Sequence, residues 1–371
     1  VSNIRIYYTD KNVFDAAIER IEYLFSEFEN VIVNISGGKD STVILNLSLM
    51  VARKLNRLPL AVMFLDQEAE WECVIDYIRT IMYDAQITPY WLQVPIRLTN
   101  ATSTSAPYLW CWRDGDRWLR DKESISIHQN KYGTDRFHPM FKAFIDAEFK
   151  ERKACYIAGV RCEESPGRQL GLTTSLKYKH IPWGKILNKR QQHYSFYPIY
   201  DWSYRDVWHA IEDNGWRYSK IYDYQFQYGL PIHQMRVSNV HHETALYSLF
   251  YMQEIEPNTW NKLTERLAGV HTAGQLQWDN FCPPQLPYMF NTWYEYRDYL
   301  ADNLITDPKI RDLLKREFTK DDTGFVSSIH KSMITRHINA ILVNDVDLTR
   351  MGTWRAAHLN FRVRKGENEY I

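Results

Sequence analysis

Apolar positions in the first third of the chain recur in two alternating rhythms. Residues 13–29 place Phe14, Ile18, Ile21, Leu24, Phe25 and Phe28 at helical spacing. Val31-Ile32-Val33-Asn34-Ile35 follows, a short β-branched run of the kind that forms a strand buried on both faces. After a Ser/Gly turn, the helical period resumes from Ser41 to Leu55. Residues 60–65 read as a second buried strand ending at Asp66, residues 70–84 as a helix, and residues 87–94 as a third strand. Strand–helix–strand order with short connections predicts an α/β fold with a doubly wound, mainly parallel sheet.

Residues 95–135 are rich in Thr, Ser, Asp and Trp without a sustained period, and read as a long excursion. A helix near 139–152 and a strand over 154–160 resume the alternation. Residues 166–200 contain no Asp or Glu but carry Arg168, Lys177, Lys179, Lys185, Lys189 and Arg190. Tyr204, Val207, Trp208 and Ile211 then mark a helix. Further on the pattern is mostly helical, near 242–255, 258–268, 290–303, 307–318 and 326–343. This change of texture divides the chain into residues 1–240, an α/β domain, and residues 241–371, a helical C-terminal domain.

Composition narrows the choice little. The chain has 371 residues, and its 45 Lys plus Arg balance its 45 Asp plus Glu, so no global charge drives it onto nucleic acid or a membrane. No apolar run approaches the ~20 residues of a membrane helix. The sequence opens without a basic start and apolar core, so no signal peptide is expected. Five scattered cysteines, Cys73, Cys111, Cys155, Cys162 and Cys282, form no C-x-x-C, against a disulfide framework or zinc ribbon. A reducing cytoplasm is the expected location. The 13 Trp and 25 Tyr suit base stacking or large core anchors, and core anchoring is the commoner use.

The chemistry concentrates in Ser36-Gly37-Gly38-Lys39-Asp40-Ser41, between a buried strand and a helix. Glycines allow a sharp bend and close approach of a ligand to the amides. The unpaired amides and dipole of the following helix favour an anion. Lys39 adds a cation, and Ser36, Ser41 and Thr42 add hydroxyls. The set suits a polyphosphate, although its spacing is not that of G-x-x-x-x-G-K-[ST].

At these residues the chain resembles the ATP pyrophosphatase superfamily, whose pyrophosphate (PP) loop is S-G-G-x-D-S. The branch resembled is the adenine nucleotide alpha hydrolase (HUP-like) group containing phosphoadenosine phosphosulfate (PAPS) reductases and the small subunit of ATP-dependent sulfate adenylyltransferase. Residues 65–71, ending a strand at Asp66, resemble that branch's polar strand end. Gly159-Val160-Arg161-Cys162-Glu163-Glu164-Ser165-Pro166-Gly167-Arg168 resembles its G-x-R-x-x-E-S-x-x-R stretch, and residues 197–208 its P-x-x-D-W-x-x-x-D-V-W segment. The resemblance spans residues 30–215. It implies ATP or a related adenine nucleotide such as PAPS or adenosine phosphosulfate (APS), held at the carboxyl ends of the strands. It further implies cleavage or transfer at the α-phosphate with Mg²⁺, releasing pyrophosphate.

On that resemblance Lys39, Asp40, Arg161 and Arg168 are the expected catalytic residues, with Asp40 the metal ligand. Ser36, Gly37, Gly38, Ser41, Thr42, Asp66, Gly159, Glu163 and Ser165 join Lys39, Asp40 and Arg161 in binding nucleotide. Arg161 and Arg168 either fork onto phosphate oxygens or pair with the neighbouring glutamates. Asp201 and Trp202 are expected to pack and cap, with Asp201 or Ser203 the N-cap of the next helix.

The chain departs from the thiol reductases of this group. It has no E-C-G-L-H tail, no cysteine after Cys282, and none near Met235-Arg236, so neither reductase chemistry nor an iron–sulfur cluster is expected. Cys162, beside two arginines, reads either as an activated thiol or as a packing residue. His241-His242-Glu243 is not expected to hold one metal, since adjacent side chains diverge. The helical third is similar in layout to a bacterial and phage group related to immunoglobulin-binding regulator A. That implies a ParB-like partner protein and allows nucleic acid as a partner; a PAPS/APS reductase-type enzyme and a non-catalytic regulator are the alternatives.

Overall fold

Val31, Ile32 and Val33 are buried in β1 (Asn30–Asn34), the central strand of a six-stranded sheet. The computed structural model describes residues 10–103, 105–164, 168, 172, 177–242, 246–273 and 285–362. They form two compact units. The first comprises the described residues up to Asp66, Glu72–Pro95 and Lys122–Val237. The second comprises Gln67–Trp71, Ile96–Asp121 and the described residues from Ser238 onward.

In the first unit, helix α1 (Val13–Glu27) starts at Asn12, whose side chain accepts the Asp15 amide, and buries Ala17, Ile21, Leu24 and Phe25. After β1 come α2 (Lys39–Lys54), β2 (Leu60–Leu65), α3 (Glu72–Met82) and β3 (Ile87–Leu92). The α2 helix begins two residues before the periodicity indicated, which puts Lys39 and Asp40 in its first turn. Strands β4 (Ile96–Thr99) and β5 (Tyr108–Cys111) come next in the chain and belong to the second unit. Helix α4 (Phe137–Glu148) leads into β6 (Ala154–Ala158), and β7 (Gly184–Asn188) and β8 (His193–Phe196) complete the sheet. Its order is β3-β2-β1-β6-β8-β7, parallel throughout except for β7. The doubly wound α/β fold is therefore present. Helix α5 (Tyr204–Asp213) carries a capping box, Ser203 and Asp206 exchanging side-chain and backbone bonds. Short α6 (Ile221–Gln227) follows.

The second unit contains a feature that periodicity does not reveal. Within the predicted excursion, β4 (Ile96–Thr99) and β5 (Tyr108–Cys111) pair antiparallel, Arg97 opposite Trp110. The unit also holds helices α7 (Leu246–Ile255), α8 (Pro257–Arg266), α9 (Val270–Ala273), α10 (Trp293–Leu304), α11 (Pro308–Gly324), α12 (His330–Leu342) and α13 (Thr349–Ala357). Leu300, Leu314, Phe318, Met333, Ile338, Ile341 and Met351 form a core among the last four. Buried within it, His337 Nε2 lies 3.0 Å from Asp321, which Arg355 also grips, while Arg297 approaches His337 Nδ1 at 3.3 Å. A guanidinium beside Nδ1 makes that nitrogen the acceptor, so the ring is neutral with its proton on Nε2.

The three segments of this unit are tied by polar contacts. Glu68, fully buried, accepts from the Trp112 and Leu119 amides and from Arg266 Nε at 2.7 Å. The Asn344 side chain donates to the Asn100 and Ser103 carbonyls. Among the described residues no helix is long and apolar enough to cross a membrane.

Candidate functional site

β1 delivers the chain at its carboxyl end to Ser36-Gly37-Gly38, and α2 starts directly after. Gly37 has φ +72°, and a Cβ there would lie 2.6 Å from Val74 Cγ1, so both backbone and space require glycine. Gly38 is the N-cap and offers no side-chain bond to the helix. The loop is braced from within instead: Ser41 Oγ donates to the Gly38 carbonyl at 2.8 Å and accepts the Ser36 amide at 3.2 Å. Ser36 itself is exposed.

Thr42 turns away from this opening. Tyr77 donates its hydroxyl proton to the Arg217 carbonyl at 3.0 Å, so at 2.9 Å the Thr42 hydroxyl must be the donor to Tyr77. Thr42 is 1% exposed. It stitches α2 to α3 and presents no hydroxyl at the loop.

Lys39, 7% exposed, sends Nζ to the Met235 carbonyl at 3.2 Å and toward Asp40 Oδ2 at 3.4 Å. Burial pushes its ammonium pKa down, while Asp40 pulls it up. Asp40 also receives Arg161 Nε, and the NH1 of Arg161 reaches Glu163 at 2.7 Å. The result is a chain of alternating charge, Lys39–Asp40–Arg161–Glu163, with Arg161 only 3% exposed. Glu163 accepts the Tyr204 amide at 2.6 Å, fastening the turn after β6 to α5. Gly159 admits this packing, because a Cβ there would lie 2.6 Å from the backbone C and O of Asp40.

Of the two roles open to the arginines, the structure displays carboxylate pairing for both. Arg161 orders Asp40 and Glu163, and Arg168 pairs with Glu164. Asp66 is fully buried, its Oδ2 accepting from Trp91 Nε1 at 2.8 Å and Gln93 Nε2 at 3.0 Å. Ser165 lies outside the described residues. Ser203, not Asp201, is the N-cap of α5; Asp201 takes a two-pronged bond from Arg20 of α1. Trp202 is buried and donates to the Val13 carbonyl at 3.1 Å.

The activated reading of Cys162 is overturned: burial and then the nearby Asp201 charge push its thiol up, away from thiolate. Cys111 is buried, its thiol 3.0 Å from the Gln67 carbonyl. Among the described residues no group of three or more His, Cys, Asp and Glu is arranged to hold a metal. Two residues of the loop's surroundings escaped sequence reasoning, Tyr222 and Met235. Neither stands in a motif, and only the α6 region's return to the loop brings them there.

A parallel α/β sheet whose first strand bends through Gly-Gly into a helix start flanked by lysine and hydroxyls defines a PP-loop nucleotide-binding protein. The family model for the phosphoadenosine phosphosulfate reductase domain matches residues 30–228, and the chain belongs to that family. A second model, described as a domain of unknown function (DUF3440), matches residues 229–358. The chain is 27% identical over 274 residues to the uncharacterized protein YbdN of Escherichia coli K12, covering 71% of this chain and 67% of YbdN. It is also similar to the Candida glabrata FMN adenylyltransferase solved with FMN and the ATP analogue AMPCPP. There the identity is 15%, the coverage 64% of this chain and 66% of that one, and the TM-score 0.38. For the Candida auris PAPS reductase in a phosphate complex, the values are 12%, 59%, 93% and 0.30.

Proposed function

We propose that the chain is an enzyme that binds ATP or a related adenine nucleotide by its terminal phosphates and cleaves or transfers at the α-phosphate, releasing pyrophosphate. The observation that carries this reading is the start of α2. A bend that requires glycine at Gly37 leads into the first turn, where Gly38 brings no capping side chain and Lys39 supplies a cation. Negative charge developing on a pyrophosphate leaving group would be met by the dipole of this helix start and by Lys39. Arg161 acts indirectly in this scheme, holding Asp40 and hence the first turn in place.

Mg²⁺ finds no ready protein cage here. The Asp40 carboxylate is shared between Arg161 and Lys39, and no other ligand cluster occurs among the described residues. No step is therefore assigned to a metal held by Asp40. The reductase alternative draws no support from Cys162, whose thiol burial and the Asp201 charge push up, away from thiolate.

Calorimetric titration with ATP, PAPS and pyrophosphate, together with an assay of pyrophosphate release, tests the proposal. Lys39→Ala is expected to weaken phosphate binding by about 10- to 100-fold, the loss of a charge-assisted contact. Absence of heat with all three ligands would overturn it.

A further inference from the structure

The hydroxyl of Tyr222, on α6, sits at the mouth of the loop. It accepts the Lys39 amide at 2.7 Å and also takes a backbone hydrogen bond from Val237. Tyr222 is 3% exposed, and the edge of its ring system is fixed against Trp208, with 5.1 Å between ring centroids. Lys39 Nζ lies 5.6 Å from the centre of the ring. A phenol has two lone pairs and one proton. Two amides occupy the lone pairs, and among the described residues the proton has no acceptor. It must point away from both amides.

The open direction is marked by Gly38. A Cβ built there would lie 3.4 Å from the Tyr222 hydroxyl and 3.5 Å from Ser36 Oγ. Glycine thus preserves a space bordered by two hydroxyls at a helix N-terminus. A buried donor without a partner is unfavourable, so the arrangement favours an incoming acceptor. We infer that Tyr222 is a direct phosphate ligand, donating its hydroxyl proton to an oxygen of a diphosphate seated over Gly38. This rests on the nucleotide reading above and adds a donor from outside the loop. Because the same oxygen holds the Lys39 and Val237 amides, Tyr222 also couples residues 235–237 to the occupied loop.

The decisive property is that donation needs the proton, whereas accepting two amides does not. Burial pushes the phenol pKa well up, so the hydroxyl keeps its proton through the neutral range, and the affinities of wild type and variants are compared at one fixed neutral pH, where the ionisation of pyrophosphate is the same for all. Tyr222→Phe should lower that affinity by about 10-fold, with the thermal midpoint recorded alongside. Because Phe also strands the two amides, the second variant carries 3,5-difluorotyrosine at position 222, a more acidic phenol. At that pH its pyrophosphate affinity should stay well above that of Tyr222→Phe, because the donor is kept, and its ¹⁹F resonance should move on saturation. A resonance that saturation leaves unmoved would assign Tyr222 a purely structural role and overturn the inference. If wild-type protein binds neither ATP nor pyrophosphate, the nucleotide reading falls first and this one with it.

Discussion

Two glycines near the loop do different work, and single methyl groups separate them. At Gly38 the backbone is ordinary and a Cβ meets two hydroxyl oxygens at 3.4 and 3.5 Å and Val237 Cβ at 3.9 Å, all ordinary contacts. Gly38→Ala should therefore fold normally, within about 0.5 kcal/mol of wild type, and yet bind pyrophosphate far less well. Calorimetry paired with denaturant melts checks this. At Gly159 the added methyl would meet the Asp40 backbone at 2.6 Å, so Gly159→Ala should lose about 1–3 kcal/mol by overpacking, read from the shift of the urea midpoint. Asp40→Asn belongs with the second case. It removes the charge that pairs buried Arg161, and should cost about 3 kcal/mol of stability whether or not nucleotide is present. For that reason Lys39→Ala is the cleaner probe of binding.

At the scale of elements, α5 depends on its start. Ser203→Ala removes the hydroxyl that accepts the Asp206 amide, leaves the bond from the Ser203 amide to the Asp206 carboxylate, and should cost about 1 kcal/mol, measured by chemical denaturation. In the helical bundle, Met333→Ala opens a cavity among Leu300, Phe318 and Ile338 and should cost about 2–5 kcal/mol. The parallel core was legible because its strands are apolar on both faces, as in Val31-Ile32-Val33, and its helices are amphipathic. The β4–β5 pair was not: Ile96–Thr99 and Tyr108–Cys111 are four residues each and are flanked by Ser, Thr and Asn that carry no period. The edge strand β7 and its neighbour β8 were masked in the same way, within the lysine-bearing, acid-free run. In the site, the loop was legible from its own residues and spacing, and Arg161 was singled out by the resemblance of residues 159–168 to the family's stretch. Tyr222 and Met235 could not, since their contact with Lys39 spans 183 and 196 residues.

Across the whole molecule, the two units should respond differently to acid. In the second, burial brings His241 down to about 3, and burial also lowers His337 despite Asp321 beside it. An unfolded histidine titrates near ~6.5. Below that pH the unfolded state binds protons that the folded state refuses, so stability falls by up to about 1.4 kcal/mol per pH unit for each histidine. For His241 the fall continues toward pH 3. In the first unit, Lys153, Tyr178 and Lys179 hold Glu27 at about 2, so its contribution persists until pH drops below the ordinary value of 4.5. Circular dichroism during acid titration should show helical signal lost in a first step beginning near pH 6.5, and His241→Leu should flatten that step.

The zigzag path of the backbone has a practical corollary. Because the chain leaves the sheet-bearing unit after Asp66, again after Pro95, and finally after Val237, no single proteolytic cut or stop codon separates the halves. A fragment ending at 237 would keep Glu68 but forfeit Arg266, and would keep Asn100 but forfeit Asn344. Excision of the inserted strands or of the helical region would therefore leave orphaned carboxylate and carbonyl groups in the other.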